Sequence, residues 1–265
     1  KWNFRYGSRI LMNTILSESL LSDVLEYYNR LKNESFVVSP SLPILFFGDL
    51  KSLLTQDFKI ITVGLNPSDS EFRLNKNENY SYVRFPEYRN DITSLELTLN
   101  NYFQKLPYKR WFNSIEPLLN GIGFSFYPNN FKKVLHTDIC SPLSTYPTWS
   151  ILEKENKLIT EKLFKDGVEL WKRLVFEIKP NLIIISTKYK LVEFLKPIDR
   201  KILYTISKTK EGKDRRPFNL ELYDVSINGF NTKLIYGEPK NTPFGSVSTE
   251  DKIKMGLIIK GIFKL

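Results

Sequence analysis

The sequence predicts an α/β protein, a three-layer αβα sandwich with a central, mostly parallel four-stranded sheet. Three observations lead there. The short apolar runs in "KIITVGL", "KKVLHTDIC" and "PNLIIIST" have the length and β-branched content of strands buried on both faces. Longer segments with apolar residues at helical spacing alternate with them. Four strand candidates also end in polar, turn-forming stretches: "GLNPS", "TDICSPLS", "STKYK" and "GEPKNTPFG". Parallel strands bring such endings to one rim, where open α/β sheets bind their ligands.

The elements follow in chain order. "NTILSESLLSDVLEYYNRLKN" carries Leu16, Leu20, Leu21, Val24, Leu25 and Tyr28 on one helical face. "FKIITVGL" is the first buried strand. "SLELTLNNYFQKL" and "YKRWFNSIEPLLNGIG" read as one or two helices, with Gly121 and Gly123 as stop signals. "KKVLHTDIC" is a short strand leading into the loop "SPLSTYPTW", and "SILEKENKLITEKLFKDGVELWKRLVFEIK" is helical throughout. "PNLIIIST" is a strand and "KYKLVEFL" a short helix. "NLELYDVSI" and "TKLIYGEP" are strands, and "STEDKIKMGLIIKGIFKL" is a closing helix capped by Ser248 or Thr249. A single domain is expected over residues 1–265, with 1–44 as an N-terminal extension and helix and 45–265 as the core.

Composition narrows the function classes. With 265 residues, 42% hydrophobic and 14% aromatic, the chain can bury a sizeable core. A formal charge of +10 favours a polyanionic partner, nucleic acid before an anionic membrane, although solubility alone also accounts for surface charge. The one cysteine, Cys140, excludes a disulfide framework and a cysteine zinc site. The one histidine, His136, is the only residue on which a Ser-His-Asp triad could be built. No apolar run approaches the length of about 18 residues that a membrane span needs. The basic start "KWNFRYGSRIL" lacks the pattern of a signal peptide, and Met12 is a candidate native start. A cytoplasmic monomer without metal or cofactor is expected.

Three strand ends hold the candidate chemistry. In Gly64-Leu65-Asn66-Pro67-Ser68, Asn66 and Pro67 serve either as plain turn residues or as a water site. In the second reading the Asn66 amide oxygen orients a water and a carbonyl beside Pro67 is its second acceptor. Asn66 does not titrate, so it suits a transition state that is already cationic. In "LHTDICSPLS", Asp138 either caps a loop or reads a ligand. His136, two residues earlier, shares its face if the strand alternates, and a core histidine is the plainer reading. In "YGEPKNTPFGSVS", the crowded prolines and glycines stiffen a loop that offers Lys240, Asn241 and Thr242 to phosphate oxygens, with Phe244 as an apolar wedge at its tip. The plainer reading is a connection without function. The charged stretch "SKTKEGKDRRP", residues 207–217, is either a further nucleic-acid contact or an exposed hairpin loop.

In this order the three motifs resemble the uracil-DNA glycosylase superfamily. "GLNPS" is similar to its strand-end motif G-x-[DN]-P, and "KPNLIIIST" to its "KPxxIIxxG" strand. "LHTDICSPL" resembles the element that ends in a base-reading Asn, while "GEPKNTPFG" matches the last motif poorly. The likeness spans roughly residues 45–265 as order and spacing. It implies that Asn66 positions the attacking water and Pro67 supplies the backbone part of that site. It also implies that Phe85, or second Tyr82, stacks on a flipped base. The loop from Glu238 to Gly245 would press on the backbone of double-stranded DNA.

The departures from that family shape the expected substrate. Asp138 stands where the family places Asn, and a carboxylate accepts well from the 4-amino group of cytosine. Facing uracil O4 it would set acceptor against acceptor, at roughly 1–3 kcal/mol. Ser68 stands where uracil-specific members carry a Tyr, which leaves room at carbon 5 of the pyrimidine. Together these imply a phage-defence glycosylase acting on 5-hydroxymethyl- or glucosylated cytosine. The histidine of the last motif is missing. Glu238 stands nearest its place, with Lys240 and Asn241 as other substitutes. The competing expectations are a uracil or mismatch repair glycosylase, a catalytically inactive DNA-binding module of the same fold, and a nucleoside hydrolase.

Overall fold

The computed structural model describes residues 14–209 and 211–265. Met12 and the basic start lie outside the described residues. The parallel part of the sheet is built from the buried runs read in the sequence. Strand β1 (Ile60–Gly64) pairs in parallel with β3 (Lys132–Asp138) on one side and β4 (Leu182–Ile185) on the other. Strand β4 pairs in parallel with β7 (Phe230–Gly237). These are the four strands whose endings were expected to share a rim, and their common direction puts all four endings there.

The sheet itself has seven strands, in the order β2-β3-β1-β4-β7-β6-β5, and this corrects the expected four. The two-residue β2 (Phe124–Ser125) adds a parallel edge beside β3. At the other edge β6 (Asp214–Ile227) and β5 (Ile198–Lys208) continue the sheet antiparallel. Strand β5 escapes a pattern reading because it is an edge strand with little burial to impose a period of two. Its Arg200, Lys201 and Lys208 are the charges that keep such an edge from pairing with another chain.

Helices cover both faces, and alternate residues of β3 show how. His136 packs against Trp111 and Phe112 of α4 (Lys109–Ile122), with ring centroids 4.5 and 5.1 Å away. Thr137 faces the opposite way and accepts a 3.0 Å hydrogen bond from Trp171 Nε1 of α6 (Lys157–Ile178). Helix α8 (Thr249–Phe263) packs on α4 and begins at Ser248, whose hydroxyl accepts from Asp251 N at 3.1 Å. Helix α1 (Glu18–Leu31) packs on α6 and buries Leu20, Leu21 and Val24 completely, so it belongs to the same core. The expected long helix over 150–179 is two, α5 (Trp149–Glu155) and α6, because Asn156 leaves helical geometry and caps α6 by accepting from Ile159 N. Helix α3 (Ile92–Asn100) and the short α2 (Leu50–Leu54) and α7 (Tyr189–Phe194) complete the set. Of the two expected stop signals only Gly123 ends α4, with φ at +100°. No helix of the described residues is long and apolar enough to cross a membrane.

Gly121 has a different task, at the crossing of α4 and α8. A Cβ on Gly121 would lie 2.5 Å from the carbonyl oxygen of Ile253, and one on Gly256 would lie 2.3 Å from that of Leu118. Both obstacles are backbone atoms, so a methyl group there forces the helices apart. Gly256→Ala is expected to destabilise the protein by about 1–3 kcal/mol. Gly261→Ala, on the same helix with nothing within 4 Å, is expected to be neutral or slightly stabilising. Urea-unfolding midpoints at constant m-value check the contrast.

Candidate functional site

The site is assembled where β1 and β3 end side by side. Gly64 pairs with Asp138 in register, and the ladder continues past the strands through Ile139 N to Gly64 O (3.2 Å) and Cys140 N to Leu65 O (3.0 Å). Asn66 therefore sits on the same rim, two residues past the Gly64 that pairs with Asp138. The loop after β3 folds back over it, bridging Ser68 to Thr145. Asn66 Nδ2 donates to the Pro67 carbonyl at 2.8 Å and to Thr145 Oγ1 at 3.1 Å. Those two bonds fix the amide, leaving Oδ1 buried without a protein partner. Among the described residues six buried side-chain polar atoms lack a partner. Three of them, on Asn66, Ser144 and Thr187, lie on the loops after β1, β3 and β4. Half of the buried side-chain polar atoms without partners among the described residues therefore lie at this rim.

Asp138 occupies space that any other residue at 64 would need. A Cβ on Gly64 would fall 2.4 Å from Asp138 Oδ1 and 3.1 Å from the Nε2 of His136. The carboxylate and the imidazole thus share the face of β1 that Gly64 leaves bare, as the alternation of β3 requires. His136 Nε2 stands 3.7 Å from Asp138 Oδ2, and Nδ1 stands 2.9 Å from Thr62 Oγ1. Thr, His and Asp in a row resemble a nucleophilic triad. Thr62, however, lies mid-strand and is 1% exposed, so no substrate reaches its hydroxyl. His136 is the packed, hydrogen-bonded core histidine of the plainer reading, and it also props Asp138 from below.

A second carboxyl was missed by the sequence reading. Glu71 is buried in the 3₁₀ turn Asp69–Phe72 that follows the Asn66 loop. It accepts a 2.5 Å hydrogen bond from the Tyr102 hydroxyl, which itself accepts from Tyr108 N at 2.8 Å. Burial pushes the Glu71 carboxyl up to about 7. The Tyr102 hydrogen bond and the Arg84 guanidinium oppose that rise, and the nearby Asp138 charge adds to it. The only available sign was the acidic character of "SDSEF"; nothing local shows that the turn points Glu71 inward.

Several expected roles are corrected. Phe85 is fully buried, stacked with Phe47 and Tyr102 and tilted against Phe72 at 5.2 Å, so it has no open face for a base. Tyr82 is the accessible ring of the two, 37% exposed, with its hydroxyl donating to Ser41 O at 2.9 Å. Phe244 is no wedge at a loop tip. It too is fully buried, packs on Phe218, and its ring fills the space above Gly237. The Pro67 carbonyl is not open as a water acceptor, since it takes hydrogen bonds from the Asn66 amide and, at 3.4 Å, from Thr145 N. Ser68 spends its hydroxyl locally, accepting from Ser70 N at 3.3 Å.

Glu238 does not converge on Asn66. It follows β7, two strands from β1 and so roughly 10 Å along the sheet, and it pairs with Arg216 at 3.3 Å. On the same loop Lys240 and Asn241 are exposed, while Thr242 Oγ1 lies 2.9 Å from Ser114 Oγ on α4. Among the described residues no group of three or more His, Cys, Asp or Glu side chains is placed to hold a metal ion.

No family model matches the chain, and no curated protein matches it in sequence.

The Glu71 carboxyl makes stability depend on pH in a definite direction. A carboxyl whose folded pKa is raised holds its proton more tightly when folded. Its contribution is therefore full below the ordinary carboxylate range and is lost as pH rises through about 7. At roughly 1.4 kcal/mol per unit the window is worth on the order of 3 kcal/mol. Glu71→Gln keeps an acceptor for Tyr102 and removes the titration. Urea unfolding at about pH 5 and about pH 7.5 is expected to show wild type losing stability relative to this variant as pH rises. Parallel profiles would disprove the assignment.

Proposed function

We propose that the protein is a DNA glycosylase of the uracil-DNA glycosylase type that removes a modified pyrimidine, a 5-hydroxymethyl- or glucosylated cytosine of foreign DNA. The observation that carries this reading is the buried, unpartnered Oδ1 of Asn66 on the rim where β1 and β3, two neighbouring parallel strands, end, the rim that also holds the carboxylate of Asp138. An acceptor sealed from solvent without a donor costs about 1–3 kcal/mol. A water bound there would satisfy it and would be held at a fixed orientation. Asn66 takes no proton, so this water suits a cationic sugar rather than a reaction needing a strong base.

The chemistry is then a hydrolysis. The target nucleotide leaves the duplex stack and its base enters the rim. The bond between C1′ and N1 stretches and its electron pair goes to the base. The water oxygen bonds to C1′, its proton ends on the departing base, and an abasic site remains. Asp138 accepts from the cytosine 4-amino group and repels uracil O4. The half-buried Ser68, whose side chain is short and held by Ser70 N, leaves carbon 5 unobstructed. Tyr82 is the ring available to stack on the base. Glu71 stays substantially protonated near neutral pH, which spares Asp138 a second negative charge in the same buried region.

A second reading has an observation of its own. Glu238, which stands for the missing histidine, is tied to Arg216, and among the described residues the side-chain partners of Asn66 include no cation. That arrangement favours an inactive DNA-binding module of this fold.

A base-release assay on duplexes containing thymine, uracil, cytosine, 5-methyl-, 5-hydroxymethyl- and glucosylated cytosine separates the readings. Release of a 5-substituted cytosine is expected. Asn66→Ala is expected to lower single-turnover release by at least about a hundredfold, the scale on which one transition-state hydrogen bond acts. Asp138→Asn is expected to move activity toward uracil. Wild type that binds every duplex and releases nothing would establish the inactive module instead.

A further inference from the structure

Strands β5 and β6 continue well past the end of the sheet they belong to. Gly237, the last residue of β7, pairs with Leu220, yet β6 begins at Asp214. Residues 214–219 therefore run six positions beyond β7, roughly 20 Å at strand rise. Strand β5 accompanies them, pairing Thr205 with Asn219, Ile206 with Phe218 and Lys208 with Asp214. The overhang is at the end of β7 that shares the rim with Asn66 and Asp138, because β1, β3, β4 and β7 are parallel.

The free end of this ribbon, residues 207–209 and 211–216, is basic and devoid of apolar side chains, with four basic residues against two acidic ones. It is also anchored. Arg215 Nη1 donates to Ser246 O at 2.9 Å, and Arg216 meets Glu238 at 3.3 Å. Between ribbon and loop lies a cleft of about 300 Å³ lined by Arg215, Arg216, Phe218, Glu238, Lys240 and Ser246. Lys208 and Arg216 keep their side chains 61% and 83% exposed despite their ion pairs.

We infer that the β5–β6 ribbon is a duplex-DNA-binding arm, which holds phosphates on the double helix beside the rim that carries Asn66 and Asp138. A two-stranded ribbon has the width that the major groove of about 12 Å admits. Arg215 and Arg216 offer planar donors to phosphate oxygens, and Lys240 adds a charge from the facing loop. The tip offers no apolar side chain to insert in a membrane or to bury against a protein. The glycosylase reading contributes only the identity of the polyanion.

The test uses the full chain and an unmodified labelled duplex of about two helical turns, with binding followed by fluorescence anisotropy across a salt series. The triple variant Lys208→Gln, Lys213→Gln, Arg216→Gln alters exposed residues, and circular dichroism checks its fold. It is expected to bind at least about tenfold more weakly, with the slope of log K against log salt reduced by about 2–3, near 0.9 for each phosphate no longer neutralised. Arg216→Lys alone is expected to retain most of the slope. Unchanged affinity and slope in the triple variant, failure of wild type to bind duplex, or binding to anionic vesicles in place of DNA would each overturn the inference. Ribbon-dependent binding without release of any base would leave the arm standing and remove the glycosylase reading. Base release together with a triple variant that binds like wild type would do the reverse.

Discussion

The carboxylate of Asp138 lies across β1 only because residue 64 has no side chain. That single contact fixes much of the rim. It demands that β1 and β3 run parallel with Gly64 opposite Asp138, since a slip of one residue would turn Asp138 to the other face and bring Thr137 under α4. It also sets His136 as the support beneath Asp138, held in turn by Thr62 and the α4 aromatics. The aromatic packing around His136 gives the carboxylate a nearly dry setting, in which a ligand's amino group would be a far better partner than water is at the surface.

Around that contact the molecule keeps polar groups where a packed core would not tolerate them. Asn66 is pinned by two donated hydrogen bonds, so its oxygen is held in one orientation by the fold. Glu71 is buried with Tyr102 as its partner, and the proximity of Asp138 means that both acids are charged together only at a cost. Burial, more than any single neighbour, raises the proton affinity of Glu71. The cost is borne by a core in which Leu20, Ile60, Leu135, Ile183 and Leu234 are completely buried.

The long hairpin illustrates how the same sheet carries two kinds of surface. Its lower part pairs β6 with β7 and buries Leu220, Tyr223 and Val225. Its upper part has left the sheet and presents charge on both sides. The change falls where β7 ends and its loop turns under Arg215.

Strands β1, β3, β4 and β7, their polar endings on one rim, the Ser248 cap and the Gly123 stop were all legible in the order of the amino acids. These follow from local rules: a run of β-branched residues is stable only when sheltered on both faces, a serine hydroxyl reaches its own helix start, and only glycine takes a positive φ without strain. That Asn66 and Asp138 belong to one rim was legible for the same reason, since neighbouring parallel strands bring their ends to the same edge. Tertiary structure alone decided the rest. An aromatic ring is equally suited to a core and to a binding platform, so Phe85 and Phe244 could be assigned only once Phe47, Tyr102 and Phe218 were seen to enclose them. Glu71 acquires its proton affinity, and β5 its place at the sheet's edge, from partners far along the chain, and no local pattern encodes which distant residues will meet.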